Sequence, residues 1–393
     1  MVDTLFKKRI LIWGLGVEGK ATRDFIQSYC EPSSVETFEG KAEDISWETY
    51  DYVVKSPGIY YPEPREQIIS QTSLFLGEFR DQVIGITGTK GKSTTASLLY
   101  HTLRSCGKDV ILVGNIGLPP LERYHEITEE TIIVFELSCH QLYQLQISPH
   151  VAVYLNLYED HLDYYGTIEH YHGAKLSIIR YQEKSDICYQ GENVPDIPTQ
   201  SRKEVIHKAD AKGMNLTSLQ GEHNQYNAYV VMEIATKLYG IAKEAAMEAM
   251  NSFRGLPHRL ERLGEIEGVT YYDDSISTIC QSAIQATTSI HNVGTVLIGG
   301  MDRGIDYGDL IDFIKERSDV NFICMYASGN RIYQEVCHVP DAYYCEDLDE
   351  AIPLAQKITP WGKACILSPA AASYGYFKNF EERGDYYKQK LGF

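Results

Sequence analysis

The residues with the clearest chemical potential lie in one glycine-rich stretch, Val83 to Thr95, whose sequence is VIGITGTKGKSTT. A short apolar run begins this stretch, as in a buried parallel strand. Its glycines let the backbone turn tightly and direct N–H groups at an anion. A lysine and several hydroxyl groups follow, in a segment that we expect to be a helix ending at Gly107. The sequence therefore predicts a phosphate-binding loop between a strand and a helix N-terminus.

The spacing of these glycines departs from the usual phosphate-loop pattern. That pattern has a glycine six positions before the lysine, and here Ile86 occupies that position. The glycines fall instead as G-x-x-G-x-x-G-K-S-T. The residues that we expect to bind nucleotide phosphates are Gly88, Thr89, Lys90, Gly91, Lys92, Ser93 and Thr94.

Three side chains further along the chain could complete a catalytic site. Glu136 ends a β-branched run, and a carboxylate there could hold Mg²⁺ together with Ser93. His161 lies between two acids just after another predicted strand, which fits a metal ligand or a solvated loop. Lys175 sits in an apolar helical stretch and, judged alone, is typical of a surface lysine with a buried stem.

A second glycine pattern lies near the N-terminus. Gly14, Gly16 and Gly19 form G-x-G-x-x-G directly after an apolar strand and before a predicted helix. Glu39 follows Gly19 by 20 residues and ends the next predicted strand, where dinucleotide-binding folds place a ribose-binding acid. The pattern alone fits an NAD site, another nucleotide diphosphate site, or a turn needed only for helix–sheet packing.

Composition narrows the class of protein. At 393 residues the chain should hold two or three domains. The net charge of −18 argues against a nucleic-acid-binding surface. Nine scattered cysteines without a C-x-x-C pair suit reduced thiols and a cytoplasmic location. The N-terminus lacks a signal-peptide pattern, and no 18-residue apolar run predicts a membrane span.

Alternating strands and helices predict an α/β fold with doubly wound, mostly parallel sheets. We expect three domains: residues 1–79, 80–253 and 254–393. In the second, Asn224 and Asn227 begin a long helix and can hydrogen-bond a purine or a phosphate. In the third, predicted strand ends carry Asp274, Arg303 and Ser373, which places a ligand site there without naming its ligand.

Taken together, the motifs resemble the Mur ligase family, the ATP-dependent amino-acid ligases of peptidoglycan synthesis. The glycine displacement in the phosphate loop is similar to that of the family. Further family-like motifs follow in the same order: Gly114-Asn115-Ile116-Gly117, Glu136-Leu137-Ser138, Asn156 through Asp163, Ala174-Lys175-Leu176, Gly221 through Ala228, Leu256-Pro257-His258-Arg259 and Asp274-Ser275. The resemblance spans nearly the whole chain.

The resemblance implies a Rossmann-like N-terminal domain for a UDP-sugar, a central P-loop ATPase-like domain, and a Rossmann-like C-terminal domain for amino acid and nucleotide. Two stretches resemble the glutamate-adding members: Gly299 to Gly304, and Leu367 to Ser373 together with Phe377 to Gly384. The implied activity is ATP-dependent, ADP-forming ligation of glutamate to UDP-N-acetylmuramoyl-L-alanine through an acyl phosphate. We expect D-glutamate, with L-glutamate as the alternative, and a monomeric enzyme.

The resemblance also implies residue roles. The UDP-sugar would contact Gly14, Leu15, Gly16, Val17, Glu39, Ser56, Asn115 and Ser138. ATP would contact the phosphate loop together with Asn224, Asn227, Arg259 and Asp274. Glutamate would contact Thr278, Arg303, Ser373 and Phe380. The catalytic residues would be Lys92, Glu136, His161 and Lys175, and two Mg²⁺ ions would be held by Ser93, Glu136, His161 and Lys175 as a CO₂-derived carbamate.

One departure from the family pattern bears on the amino-acid substrate. Asp274-Ser275 is followed by Ile276 where members of this type usually carry lysine, and this resembles a variant branch in which L-glutamate replaces D-glutamate. The alternatives are a related ligase that acts on folate or poly-glutamate, an NAD-dependent oxidoreductase fused to an ATPase, and a non-catalytic nucleotide-binding regulator.

Overall fold

The computed structural model of the protein describes residues 2–214, 216, 219 and 221–393, and for Leu162 and Asp163 it describes the backbone alone. The chain forms two compact units: Met1–Met214 with Glu222–Met250, and Asn251–Phe393 with Asn215–Gly221. The first unit contains two β-sheets and the second contains one. The first two sheets belong to one compact unit, so the structure does not test the predicted boundary at residue 79. The division into three domains at residues 79 and 253 stays a prediction.

The first sheet carries the N-terminal glycine pattern. Its strands are β1 (Arg9–Trp13), β2 (Ser34–Phe38), β3 (Tyr52–Lys55) and β4 (Ile68–Ile69), and its helices are α1 (Val2–Leu5), α2 (Val17–Tyr29) and α3 (Gln71–Phe79). All strands are parallel, in the order β2-β1-β3-β4. Because the chain moves from one side of β1 to the other, the glycine loop after β1 lies at the switch point where such sheets bind ligands.

The second sheet carries the phosphate loop. Its strands are β5 (Val83–Thr87), β6 (Val110–Gly114), β7 (Ile132–Glu136), β8 (Val151–Tyr154), β9 (Ile187–Gly191) and β10 (Arg202–Ile206). The helices of this region are α4 (Lys92–Ser105), α5 (Cys139–Leu142), α6 (Leu162–Tyr165), α7 (Ile168–Arg180), α8 (Glu222–Lys237) and α9 (Lys243–Ser252). The strands are parallel, in the order β10-β9-β8-β5-β7-β6. Every residue of β5 is buried, as expected for a central parallel strand.

The third sheet makes up the second unit. Its strands are β11 (Glu261–Ile266), β12 (Val269–Asp273), β13 (Val293–Ile298), β14 (Asn321–Met325), β15 (Ala342–Cys345) and β16 (Ala364–Leu367). Its helices are α10 (Cys280–Ser289), α11 (Gly308–Glu316), α12 (Tyr326–Val336), α13 (Leu348–Ile358) and α14 (Phe380–Leu391). The order is β11-β12-β16-β13-β14-β15, and only β11 is antiparallel to its neighbour.

The predicted fold class is therefore confirmed, with local differences. The strand expected from Val151 to Leu157 ends at Tyr154, and the helix expected after Gly19 begins at Val17. The stretch 181–220, which the sequence left hard to interpret, contains β9 and the edge strand β10. Charged residues on β10 interrupt the apolar pattern by which strands are predicted. Edge strands commonly carry lysine and glutamate, which prevent them from pairing with a further strand. Among the described residues, no helix has both the length and the apolar character needed to cross a membrane.

Candidate active site

The phosphate loop between β5 and α4 adopts a conformation that requires glycine. Gly88 and Gly91 have φ angles of 155° and 84°, and side chains rarely adopt such angles. A Cβ atom at Gly91 would lie 2.7 Å from Oδ1 of Asn227. Glycine at this position therefore also allows the start of α8 to approach the N-terminus of α4, which brings the predicted nucleotide residue Asn227 to the loop.

The loop is held from the neighbouring strand by Asn156. Its Oδ1 accepts a hydrogen bond from the N–H of Lys90 at 2.9 Å, and its Nδ2 donates to the carbonyl of Lys90 at 2.9 Å. The carbonyl of Asn156 accepts from the N–H of Thr89 at 3.0 Å. Our predicted site residues omit Asn156, although its place just after β8 was a signal, because β8 is the direct neighbour of β5.

The remaining polar groups of the loop lie around Thr89 and the first turn of α4. The Thr89 hydroxyl donates to the carbonyl of Tyr158 at 3.2 Å and accepts from the hydroxyl of Tyr171 at 3.3 Å. The ammonium of Lys92 donates to the carbonyl of Thr89 at 3.0 Å. Ser93 and Thr94 lie beside Lys92, half-buried in the first turn of the helix. The predicted phosphate-binding residues are thus gathered at one helix N-terminus, where anions are stabilised.

Glu136 has the features of a cation ligand. It is the last residue of β7, directly beside β5, and is fully buried. One carboxylate oxygen, Oε1, accepts a hydrogen bond from Nδ2 of Asn115 at 3.1 Å. The other, Oε2, is buried and has no hydrogen-bond partner among the described residues. A buried unsatisfied carboxylate oxygen is costly unless a ligand satisfies it, so the donor set at this strand end fits a hard cation such as Mg²⁺.

Lys175 is not the surface lysine that its sequence context alone suggested. Its side chain, on α7, is 1% exposed. Its ammonium donates to the carbonyl of Gly88 at 2.9 Å, and its Nζ atom lies 4.8 Å from the centre of the Tyr171 ring. Among the described residues, no carboxylate lies within ion-pairing distance of it. Burial, reinforced by the charge of Lys92, lowers the pKa of Lys175 to about 7.

His161 and Lys175 both lie beside the ring of Tyr171, and His161 is the more exposed of the two. Its φ angle is 51°, and its side chain is 45% exposed. Its ring centre lies 6.0 Å from that of Tyr171 and 5.1 Å from that of His140. Its neighbour Asp163 lies outside the described side chains. The predicted role of His161 as a metal ligand stays a prediction.

The start of α8 adds three polar side chains to the phosphate loop. Nδ2 of Asn227 donates to Oδ1 of Asn224 at 3.3 Å. Burial, reinforced by the charge of Lys90, lowers the pKa of the neighbouring His223. A lowered pKa keeps this imidazole neutral near the cationic loop. The amide groups of Asn224 and Asn227 therefore lie at the loop, and their contact with a nucleotide stays a prediction.

The N-terminal glycine loop joins several of the residues predicted to bind the UDP-sugar. Gly14 has a φ angle of 95°, and a Cβ atom at Gly19 would lie 1.9 Å from the carbonyl oxygen of Gly14. These are the turn and close-packing roles that the fingerprint requires. The Ser56 hydroxyl donates to the carbonyl of Gly14 at 2.8 Å, and a carboxylate oxygen of Glu39 accepts from the N–H of Leu15 at 3.4 Å. Around this loop, Gly16 and Val17 are exposed.

Ser138 lies in the second sheet and is connected to this loop through two side chains. Ser138 is the N-cap residue of α5, and its hydroxyl accepts a hydrogen bond from the N–H of Gln141. Nε2 of Gln141 donates to Oε1 of Glu18 at 2.6 Å. Glu18 lies inside the glycine pattern, and the sequence analysis assigned it no role. No sequence signal pairs it with Gln141, since 123 residues separate them.

In the second unit, the loop after β12 holds Asp274 in a buried network. Its carboxylate accepts hydrogen bonds from the Ser368 hydroxyl at 2.7 Å and the Leu260 N–H at 3.0 Å. Burial raises the pKa of Asp274 to about 7, against these hydrogen bonds and the charge of the exposed Arg259. Asp274 and Arg259 are therefore close enough to interact electrostatically, and their contact with a nucleotide stays a prediction.

The residues predicted to bind glutamate surround the same strand ends. The carbonyl of Phe380 accepts from the Ser275 hydroxyl at 2.8 Å, which joins α14 to the Asp274 loop. Ser373 is buried, Thr278 is half-buried and Arg303 is exposed. Arg383 is not among the predicted site residues. Its guanidinium donates to the carbonyls of Ser275 and Ala371 at 2.7 and 3.0 Å. A contact between glutamate and this unit stays a prediction.

Comparison with known proteins identifies the family to which the chain belongs. Residues 86–190 match the model of the Mur ligase middle domain. The chain is 33% identical to the UDP-N-acetylmuramoylalanine–D-glutamate ligase of Streptococcus mutans, over 86% of this chain and 82% of that protein. It is 32% identical to the ligase of the same name from Aquifex aeolicus, over 97% of this chain and 98% of that protein.

A solved structure supports the fold. The MurF ligase of Thermotoga maritima, determined in complex with ADP, has a TM-score of 0.59 with this chain at 16% identity, and the match covers 98% of this chain and 96% of that one. At this identity the likeness concerns the fold, whereas the full-length relatives above define the family. The chain belongs to the UDP-N-acetylmuramoylalanine–D-glutamate ligases of the Mur ligase family and is an ATP-dependent, ADP-forming enzyme.

Proposed function

We propose that this enzyme ligates D-glutamate to UDP-N-acetylmuramoyl-L-alanine in peptidoglycan precursor synthesis. The names of its full-length relatives support the substrates. The structural observation that carries the proposal is the convergence of Lys92, Lys175 and Glu136 at the strand ends around the phosphate loop, where Oε2 of Glu136 has no hydrogen-bond partner among the described residues. Such a site can bring an anionic carboxylate to ATP despite their mutual repulsion.

The chemistry follows from the poor reactivity of a free carboxylate. An oxygen of the alanine carboxylate attacks the γ-phosphorus, and the bond to the β,γ-bridging oxygen breaks, which yields an acyl phosphate and ADP. The amine of glutamate then attacks the acyl carbon, phosphate leaves, and the new amide nitrogen loses a proton. The loop N–H groups and Lys92 would stabilise the charge on the transferred group, and Asn156 would keep the loop in place.

Mg²⁺ fits the donor groups near the loop. Ser93 and Glu136 would hold one ion, since Oε2 of Glu136 is buried without a partner among the described residues. His161 and Lys175 as a carbamate would hold the second. Bound Mg²⁺ supplies neutralisation of the phosphate and carboxylate charges.

The environment of Lys175 supports its carbamylation. Only an unprotonated amine attacks CO₂, and a pKa of about 7 leaves roughly half of the Lys175 amine unprotonated at neutral pH. An ordinary lysine would be almost wholly protonated there. The reaction forms a C–N bond, releases a proton and replaces a buried cation with an anionic oxygen ligand. The absence of a carboxylate partner among the described residues leaves that side chain available for this conversion.

The remaining roles follow the family pattern. The UDP moiety would bind at Gly14–Val17 with Glu39 and Ser56, and the sugar side at Asn115 and Ser138. Arg259, Asp274, Asn224 and Asn227 would contact ATP. Glutamate would contact Thr278, Arg303, Ser373 and Phe380.

The decisive experiment measures ADP and ligated product with UDP-N-acetylmuramoyl-L-alanine and either D- or L-glutamate. We expect turnover with the D isomer, as the names of the relatives indicate. Ile276 lies in the loop after β12, whose sequence resembles the L-glutamate-using branch of the family. Its N–H donates to the carbonyl of His258 at 3.1 Å. Turnover with L-glutamate alone would assign the stereochemical choice to that loop, and ADP formation with neither isomer would overturn the proposal.

A further inference from the structure

Glu18 holds a carboxylate inside the loop that should bind a diphosphate. It occupies the fifth position of the glycine pattern Gly14–Gly19 and lies in the first turn of α2. Its Oε1 accepts the 2.6 Å hydrogen bond from Gln141. Its Oε2 is buried and has no hydrogen-bond partner among the described residues. A titratable carboxyl group therefore lies within one segment predicted to hold an anionic ligand, the glycine loop, and is joined through Gln141 to a second, the Ser138 cap.

The groups facing this carboxyl come from several elements. Lys55, at the end of β3, is the charged one; its ammonium donates to the carbonyl of Ile59 at 2.8 Å, and burial lowers its pKa to about 8. Gln141 on α5 is neutral. Gln71 on α3 is neutral; its side-chain amide donates to the backbone carbonyl of Glu18 at 3.0 Å and to the Thr22 hydroxyl at 2.8 Å. Burial raises the pKa of Glu18 to about 7, against the opposing effects of Gln141 and Lys55.

We propose that Glu18 is a binding residue that contacts a nucleoside diphosphate in its protonated form, with the Oε2–H group donating to a phosphate oxygen. The inference rests on the proposed function, because it takes the N-terminal glycine loop as the site of the UDP-sugar. It adds a requirement that the family assignment does not contain: at a pH above about 7, the enzyme takes up a proton when a nucleoside diphosphate binds.

The geometry determines where the proton goes. Oε1 is already an acceptor for Gln141, so Oε2 is the oxygen that can carry hydrogen. An ionised carboxylate near phosphate oxygens would be repelled by them, and a nearby anion raises the pKa of a carboxyl group. A neutral carboxylic acid instead offers a donor to the ligand. Gln141 keeps its role in both states because an amide N–H can donate to either form.

This mechanism predicts a particular dependence on pH. In the free enzyme Glu18 loses its proton as the pH rises through about 7. In the complex the phosphates should hold that proton to higher pH. The affinity for a nucleoside diphosphate should therefore fall as pH increases above 7, approaching about tenfold per pH unit. Below pH 6, where Glu18 is protonated in both states, the affinity should be level.

The test is calorimetric titration with UDP-N-acetylglucosamine, whose two phosphates are both esterified and do not titrate near neutral pH. Measurement at pH 7.5 in two buffers of different ionisation enthalpy gives the number of protons taken up. We expect about three quarters of a proton from Glu18 in the wild-type enzyme. Because Lys55 also titrates in this range, the Glu18 share is the difference between wild type and Glu18→Gln.

Glu18→Gln imitates the protonated acid, with an acceptor for Gln141 and a donor for the phosphate. We expect it to bind with nearly constant affinity from pH 6 to 8. The matched control is Glu43→Gln, which removes the same charge from an exposed side chain and should retain the wild-type slope. Equal proton uptake in wild type and Glu18→Gln would overturn the proposal. An absence of proton uptake in the wild-type enzyme would also overturn it, and that measurement requires no variant.

The outcomes also separate this inference from the proposed function. Binding with no Glu18-dependent proton uptake overturns the role of Glu18 and leaves the UDP-sugar site in place. A failure of the nucleotide sugar to bind at any pH between 6 and 8 overturns the assignment of the glycine loop, and the role of Glu18 with it.

Discussion

Two glycine-rich loops of the first unit use the same backbone arrangement with opposite charge. Each follows a central parallel strand and starts a helix, and each contains a glycine at positive φ. The phosphate loop adds Lys90 and Lys92 and faces the buried Lys175. The N-terminal loop contains the acid Glu18 and lacks lysine between Gly14 and Gly19.

The difference teaches that backbone geometry and side-chain charge do separate work. A strand–loop–helix arrangement of this kind can present N–H groups to an anion. Cationic side chains can additionally stabilise negative charge that moves during the reaction, as at the γ-phosphate of ATP. An esterified diphosphate that only anchors the substrate needs no such charge, and a neutral acid can bind it. Variants that change one loop should therefore affect a different step from variants of the other.

The largest effect is expected from removing the cation of the phosphate loop. Lys92→Ala should lower kcat by about 10²–10³-fold, because the transferred phosphoryl group loses the positively charged hydrogen-bond donor that stabilises its negative charge. UDP-N-acetylglucosamine should still bind at the other loop. ADP release and calorimetry measure the two effects, with the exposed Lys243→Ala as the control. A loss of affinity at both loops would contradict the separation.

A comparable loss is expected for Lys175→Ala, but here it should be reversible. Added acetate should restore part of the activity, since it can supply the carboxylate that a carbamate would provide. In the wild-type enzyme, the Lys175 amine gains a proton as pH falls below about 7, so activity should depend increasingly on added bicarbonate. Initial rates with and without acetate test this, and Lys92→Ala should show no restoration. Failure of acetate to act on Lys175→Ala would count against the carbamate.

A smaller effect comes from glycine geometry. Gly91→Ala should destabilise the protein by about 1–2 kcal/mol, because its φ of 84° disfavours a side chain and Asn227 leaves no space for Cβ. Gly16→Ala is the matched substitution in the other loop. Its φ is −62° and a Cβ would meet open space, so its free energy of unfolding should change by less than about 0.5 kcal/mol. Urea unfolding compares the two, and similar destabilisation of both would show that the structural contrast does not govern stability.

The smallest effect is expected for Glu39→Gln. The hydrogen bond from the Leu15 N–H is long, at 3.4 Å, and glutamine keeps the accepting oxygen. The affinity for UDP-N-acetylglucosamine should fall by less than about fivefold, since even the complete loss of one hydrogen bond costs about 1 kcal/mol. Calorimetry at pH 6.5 measures it. A loss of tenfold or more would show that the ionised carboxylate itself binds the ribose.

Much of the site was predictable from local patterns. Glycine spacing, strand ends and helix starts identified Lys92, Glu136 and the N-terminal loop, because each signal lies within a few residues of its element. Asn156 and Arg383 were missed as site residues because they act through contacts with loops that are distant in sequence. Lys175 was ambiguous for the same reason, since sequence reports an apolar neighbourhood and not the depth of burial.

The sequence by itself determined the fold class, the two glycine loops and the kinship with the Mur ligases, because these depend on the order and local spacing of residues. Only the tertiary structure decided which charged groups are buried and which polar atoms lack a partner. It buried Lys175, left Oε2 of Glu136 unsatisfied among the described residues, and joined Glu18 to Gln141. Solvation and charge pairing are properties of three-dimensional neighbours, and no residue carries them alone.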